Sequence, residues 1–308
     1  MSSDPAKLLR AARRVEDLGY STFIVADHFM MPFAPLIALQ AVAGATTRLR
    51  LGQLVLAQDF RHPAVLAKEL ATLDVLSGGR VEVGIGAGWM GEEFAAAGIP
   101  FDRAAMRIER LEEAVVVLKG LFGEGPFDFS GQHFSIAGLD GTPKPVQTPR
   151  PPILIGGGGP KLLAVAARQA DIIQVLPGPN RGNQPLDPAR ITARSFREKI
   201  DWIRDMAGER FAGIELGTLL LSVTITDDVE AAADQLLARY LDSTGADGPR
   251  GLSRHDLLAS PLVAMGSEEE VCDKLLAIRD SFGFSYFVAP VGVRPESLAP
   301  IIDRIAGR

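Results

Sequence analysis

An aspartate and a histidine, Asp27-His28, stand together at the end of an apolar run, Thr22 to Ala26. An imidazole so placed can hold or release a proton near neutral pH. His28 is thus a candidate proton donor, or a hydrogen-bond donor to a cofactor, with Asp27 to orient it. The plainer alternative has Asp27 capping the next turn and His28 solvated in a loop. Gly84-Ile85-Gly86-Ala87-Gly88-Trp89 closes a second apolar run. Its glycines permit close backbone approach to a ligand and Trp89 offers a flat face, although glycines here can also merely relieve crowding between strands. Gly156-Gly157-Gly158-Gly159 precedes a helix expected near Pro160, where backbone amides and the helix dipole favour an anion, usually phosphate. The Rossmann and P-loop spacings are absent. Gln58 to Pro63 reads as a helix start with charged flanks, which gives Arg61 and His62 no chemical task.

Other chemistries are excluded by composition. The single cysteine, Cys272, cannot form an intramolecular disulfide and falls in a helical pattern, Glu268 to Asp280, as a buried bystander. His28, His62, His133 and His255 are scattered and no metal-ligand spacing occurs, so no metal site is expected. A net charge of −6 without a basic block argues against nucleic acid. No apolar run reaches the ~18 residues that cross a bilayer, and Met1 to Pro5 lacks the features of a secretory leader. The expectation is a cytoplasmic protein with a small-molecule substrate and no membrane partner, with a homodimer left open.

The elements that must position these residues alternate. Strand candidates are Thr22 to Ala26, Leu49 to Ala57, Val81 to Gly86, Ile153 to Gly156, Asp171 to Val175, Gly213 to Thr226 and Ser285 to Ala289. Most are nearly continuous apolar runs, as parallel strands covered on both faces should be. Helical patterns lie between them: one capped by Asp4 with Pro5 in its first turn, others at Asp102 to Gly120 and Asp227 to Leu241. Repeated βα order means a doubly wound sheet or a (β/α)₈ barrel, with function at the strand C-termini in the latter. A hairpin signal at Phe127 to Ile136 followed by a Pro-rich stretch, and the polar Asp242 to Pro261, read as insertions at about 123–149 and 242–261 on one domain spanning 1–308.

Three segments carry a resemblance: LGYSTFIVADHF (Leu18 to Phe29), RHPAVLAKELATLDVLSGGRVEVGIGAGWMGEEFAAAGI (Arg61 to Ile99) and PPILIGGGGPKLLAVAARQADIIQV (Pro151 to Val175). Together they resemble the luciferase-like monooxygenase superfamily, most closely its branch using the deazaflavin coenzyme F420 in place of FMN. The resemblance implies a TIM (β/α)₈-type barrel with insertions, with the ring at the strand C-termini and its phosphate on the glycine loop. It implies that Asp27 and His28 lie beside the reactive ring edge. It also implies that Leu54-Val55 forms a bulge with a non-proline cis peptide behind the ring, and that Gly157 to Gly159 hold phosphate. Gly88, Trp89, Gly156 and Val175 complete the expected cofactor contacts. Trp89 replaces the catalytic glutamate of the sugar-phosphate dehydrogenase branch, which argues against sugar-phosphate oxidation. The implied activity is hydride transfer between F420 and a small organic substrate; an FMN-dependent monooxygenase and a non-catalytic flavin-binding protein are the alternatives. Complete members begin with a strand, whereas this chain opens on a helix. The first barrel strand is therefore expected to be missing, leaving seven, through a start assigned downstream or a natively incomplete barrel.

Overall fold

Asp4 accepts a hydrogen bond from the Ala6 amide at 2.9 Å and Pro5 occupies the first turn, so the chain enters a helix at Pro5–Asp17, as expected. The computed structural model describes residues 3–178, 187–244 and 252–307. They divide into two compact units, one built from 1–156 with 169–171 and the other from 157–168 with 172–308.

In the first unit, strands β1 (Thr22–Val25), β2 (Arg50–Gln53), β3 (Leu56–Ala57) and β4 (Val81–Gly86) run parallel, joined by helices Pro35–Ala45 and Pro63–Ser77. β1 pairs with β2, and β4 pairs with β2 and with β3. All six residues of β4 are buried, as a strand covered on both faces requires. β5 (Phe127–Ser130) and β6 (Ser135–Leu139) form the expected antiparallel hairpin, closed by the Gly131 amide on the Phe134 carbonyl at 2.9 Å. β7 (Ile153–Gly157) then pairs with β4 in parallel. The run Leu49 to Ala57 is thus two strands, interrupted at Leu54-Val55.

In the second unit, β8 (Ile172–Val175), β9 (Glu215–Leu219) and β12 (Phe284–Val288) are parallel in the order β8-β9-β12. Gly213 to Thr226 is not one strand. After β9 the Leu220 amide bonds the Val288 carbonyl, but the next amide, Leu221, bonds Leu262, so the chain changes partners. β10 (Ser222–Ile225) then pairs with β11 (Val263–Gly266), a four-residue strand too short to stand out as a pattern. The stretch Asp242 to Pro261 is also more ordered than its polarity suggests. Its first residues end the helix Val229–Thr244, and Ser253 with Asp256 forms a capping box on the helix Arg254–Ala259; residues 245–251 lie outside the described residues. Cys272 is buried in the helix Glu268–Phe282. Among the described residues, no helix is long and apolar enough to cross a membrane.

One buried charge in this unit gives a pH-dependent signature. Lys199, on the helix Ala193–Ala207, is 3% exposed and donates to the Arg190 carbonyl at 3.1 Å. Burial, reinforced by the charge of Arg190, pushes the ammonium down to about 8. An unfolded lysine titrates at ~10.4, so between these values the unfolded chain binds more protons than the folded one. The contribution of Lys199 to stability therefore rises as pH climbs from about 8 to ~10.4. Lys199→Met should flatten that rise in urea midpoints measured across this window; an equal rise in both proteins would assign it to other groups.

Candidate active site

The C-terminal ends of the first unit's strands hold most of the ionisable and aromatic groups singled out above. Asp27, just past β1, is 7% exposed. Its Oδ2 accepts from the Ala57 amide at 3.1 Å and from Arg61 Nη1 at 2.6 Å, and its Oδ1 accepts from Arg61 Nη2 at 3.2 Å. This two-pronged guanidinium contact ties the end of β1 to the turn after β3. Arg61, with no chemical task expected from its pattern, is thus the partner of Asp27. His62 keeps its plain reading: its Nδ1 accepts from the Ala64 amide at 3.2 Å, at the start of the helix Pro63–Ser77.

Asp27 does not orient His28. The imidazole Nδ1 lies 2.8 Å from Oε2 of Glu93, and the other oxygen of Glu93 accepts from the Phe29 amide. Glu93 sits in the first turn of the helix Gly91–Ala96, four residues beyond Trp89. The rings of His28 and Trp89 meet edge to face at 5.7 Å, and Trp89 is 59% exposed. Phe29, Phe60, Phe94 and Phe101 form a chain of ring contacts at 4.8–5.1 Å.

The glycines after β4 have structural explanations. A Cβ on Gly84 would lie 1.6 Å from the Gln53 carbonyl oxygen, and one on Gly86 would lie 2.6 Å from Val55 Cγ2. They make room for the bulge at half-buried Leu54 and Val55, whose peptide bond is cis, as the resemblance implies. Gly88 has φ of 70° and faces the Phe94 ring, which lies 2.7 Å from where its Cβ would be. Arg107 fixes this turn: it donates to the Ala87 carbonyl at 3.0 Å and the Gly88 carbonyl at 3.3 Å, and lies 3.8 Å over the Phe101 ring. Arg110 bridges Asp59 at 2.8 Å and Asp102 at 2.7 Å. Burial raises the Asp59 carboxyl above its ordinary range despite the opposing charges of Arg110 and Arg107.

Gly156 closes the first unit, whereas Gly157, Gly158, Gly159 and Val175 belong to the second. There a Cβ on Gly157 would strike Leu162, and one on Gly158 would lie 2.1 Å from the Leu176 carbonyl oxygen. Gly159 alone of the three faces open space, directly before the helix Pro160–Gln169. Val175, fully buried, ends β8 with its carbonyl accepting from Thr218 Oγ1 at 2.8 Å.

Comparison with known proteins gives a consistent family. Residues 1–285 match the family described as luciferase-like monooxygenase. An F420-dependent glucose-6-phosphate dehydrogenase from Amycolatopsis mediterranei is 32% identical over 176 residues, 54% of this chain and 52% of that one. An FMNH(2)-dependent dimethylsulfone monooxygenase from Pseudomonas putida is 28% identical over 211 residues, 68% of this chain and 54% of that one. The chain thus spans about half the length of these curated relatives. Among solved structures, the coenzyme F420 dependent tetrahydromethanopterin reductase from Methanopyrus kandleri superposes with a TM-score of 0.74 at 20% identity, covering 97% of this chain and 94% of that one. That likeness shows an α/β fold of the luciferase-like TIM-barrel type.

Proposed function

The chain belongs to the luciferase-like monooxygenase family, and from that premise we propose that it is an oxidoreductase transferring hydride from reduced coenzyme F420 to a small organic acceptor. The observation that carries this reading is the imidazole of His28, held through Nδ1 by Glu93, edge-on to an exposed Trp89. No described residue bonds its Nε2, so that nitrogen is available at the strand end. The residues fit a planar ring: exposed Trp89 and Phe29 offer flat apolar faces, and Leu54-Val55 lies at the adjacent strand ends. When bound, the reduced deazaflavin supplies hydride from a ring carbon. His28 supplies the proton that the acceptor needs, while Asp27 is paired with Arg61. Trp89, in place of an acidic residue, supports an acceptor other than a sugar phosphate.

The test is consumption of reduced F420 and of reduced FMN, each with and without oxygen, against a panel of small ketones, aldehydes and enones. Reduced F420 should be oxidised by an acceptor without oxygen. Oxygen uptake matching oxidation of FMN would instead establish a monooxygenase, the reading that the dimethylsulfone monooxygenase relative favours. Binding without turnover of either coenzyme would leave a non-catalytic flavin-binding protein.

The glycine loop, taken by itself, is the candidate phosphate contact of the second unit, and its geometry separates folding from binding. Gly159→Ala should leave the melting temperature unchanged yet weaken binding of inorganic phosphate roughly tenfold, within the ~2 kcal/mol that one helix-terminus charge interaction reaches. Gly158→Ala should unfold at lower temperature because its Cβ meets backbone. Unaltered phosphate affinity in Gly159→Ala would remove the anion-binding role from that loop.

A further inference from the structure

The neighbour in sequence, Asp27, spends its carboxylate on Arg61 and the Ala57 amide and makes no hydrogen bond to His28. Glu93 makes the two contacts that fix the histidine. Its side chain is 7% exposed, with one oxygen 2.8 Å from His28 Nδ1 and the other receiving the amide of Phe29. It therefore grips a side chain and the next residue's main chain at once, which sets both the ring and the backbone carrying it. An ionised carboxylate accepts and cannot donate, so the neutral imidazole must place its proton on Nδ1 at this contact. Nε2 is then the nitrogen left to exchange protons, and the described residues give it no partner.

We propose that Glu93 is a positioning residue that locks His28 in the Nδ1–H tautomer and thereby makes Nε2 the proton-exchanging atom of the site. The tautomer assignment stands on the geometry alone; the catalytic use of Nε2 rests on the function proposed above. In the productive direction the imidazolium gives its Nε2 proton to the acceptor atom that has gained the electron pair. This leaves neutral, Nδ1-protonated His28 bonded to Glu93, and water returns the proton afterwards.

The experiment is a long-range ¹H–¹⁵N spectrum of the labelled whole protein at about pH 8.5, where an ordinary histidine is neutral, with His28 assigned from its loss in His28→Asn. The wild-type protein should show a protonated Nδ1 and an unprotonated Nε2. In Glu93→Gln the amide oxygen can take the Phe29 amide only by turning its NH₂ on Nδ1, so the ring should switch to the Nε2–H tautomer. With it, kcat should fall ~10²-fold, the scale of a misplaced general acid, while coenzyme Kd stays near the wild-type value. An Nε2–H or mixed tautomer in the wild-type protein, or an unchanged tautomer in Glu93→Gln, would overturn the proposal. A switched tautomer with unaltered kcat would uphold the locking role and overturn the proton transfer assigned to His28.

Discussion

His28→Ala is expected to lower kcat by ~10²- to 10⁴-fold while leaving coenzyme Kd nearly unchanged. A proton donor acts in the transition state, so its loss appears in turnover rather than in ground-state binding. Removing the ring also strands a Glu93 oxygen that is otherwise bonded at 2.8 Å, which adds a structural disturbance to the chemical one. His28→Gln separates the two, because its side-chain amide can still donate to Glu93 but cannot transfer a proton at neutral pH. Both variants should therefore be slow, with His28→Gln the more stable. Equal turnover in His28→Gln and wild type, measured at saturating coenzyme, would show that His28 only orients the ring.

Arg61→Ala should destabilise the protein by about 3 kcal/mol, because it leaves a buried carboxylate without its counter-charge. Asp27 is 7% exposed and receives both guanidinium nitrogens, at 2.6 and 3.2 Å; the Ala57 amide at 3.1 Å would be all that remained. The partial exposure of Arg61 places the loss at the lower end of the range for broken buried pairs. Neutralising both partners, as Asp27→Asn with Arg61→Leu, should recover most of the stability. Urea unfolding of wild type, Asp27→Asn, Arg61→Leu and the double variant measures the coupling, and additive losses would show that the pair is not coupled.

The physical causes of what the sequence revealed differ from element to element. β4 and β8 were legible because strands buried on both faces are continuously apolar, and the helix at Pro5–Asp17 because Asp4 and Pro5 mark its start. The split of Gly213 to Thr226 was not legible, since a strand that leaves one partner at Leu220 and takes another at Leu221 keeps the same apolar character. The adjacency of Asp27 and His28 misled for a related reason. Neighbours in sequence here have different tertiary partners, Arg61 for one and Glu93 for the other. Glu93 left only a faint trace, one of two acidic residues in the first turn of a short helix, where dipole stabilisation alone would account for it. The glycines of the Gly84 to Gly88 stretch were visible as a cluster, but what they accommodate is the neighbouring bulge and the ring of Phe94. The bulge itself entered through the resemblance, since Gln-Leu-Val-Leu reads as uninterrupted strand.

A deazaflavin ring is proposed to bind beside His28 and Trp89, and Trp89 can report on it directly. The chain has two tryptophans, so Trp202→Phe leaves Trp89 as the sole indole signal. Titrating that variant with F420 and, separately, with FMN under identical salt measures affinity and proximity together. Saturable quenching of Trp89 by both is expected, with F420 binding the more tightly, and with weaker F420 binding, read from the coenzyme's own absorbance, when Trp89 is also replaced. Tighter binding of FMN, or saturable coenzyme binding that leaves Trp89 emission unchanged, would contradict that expectation.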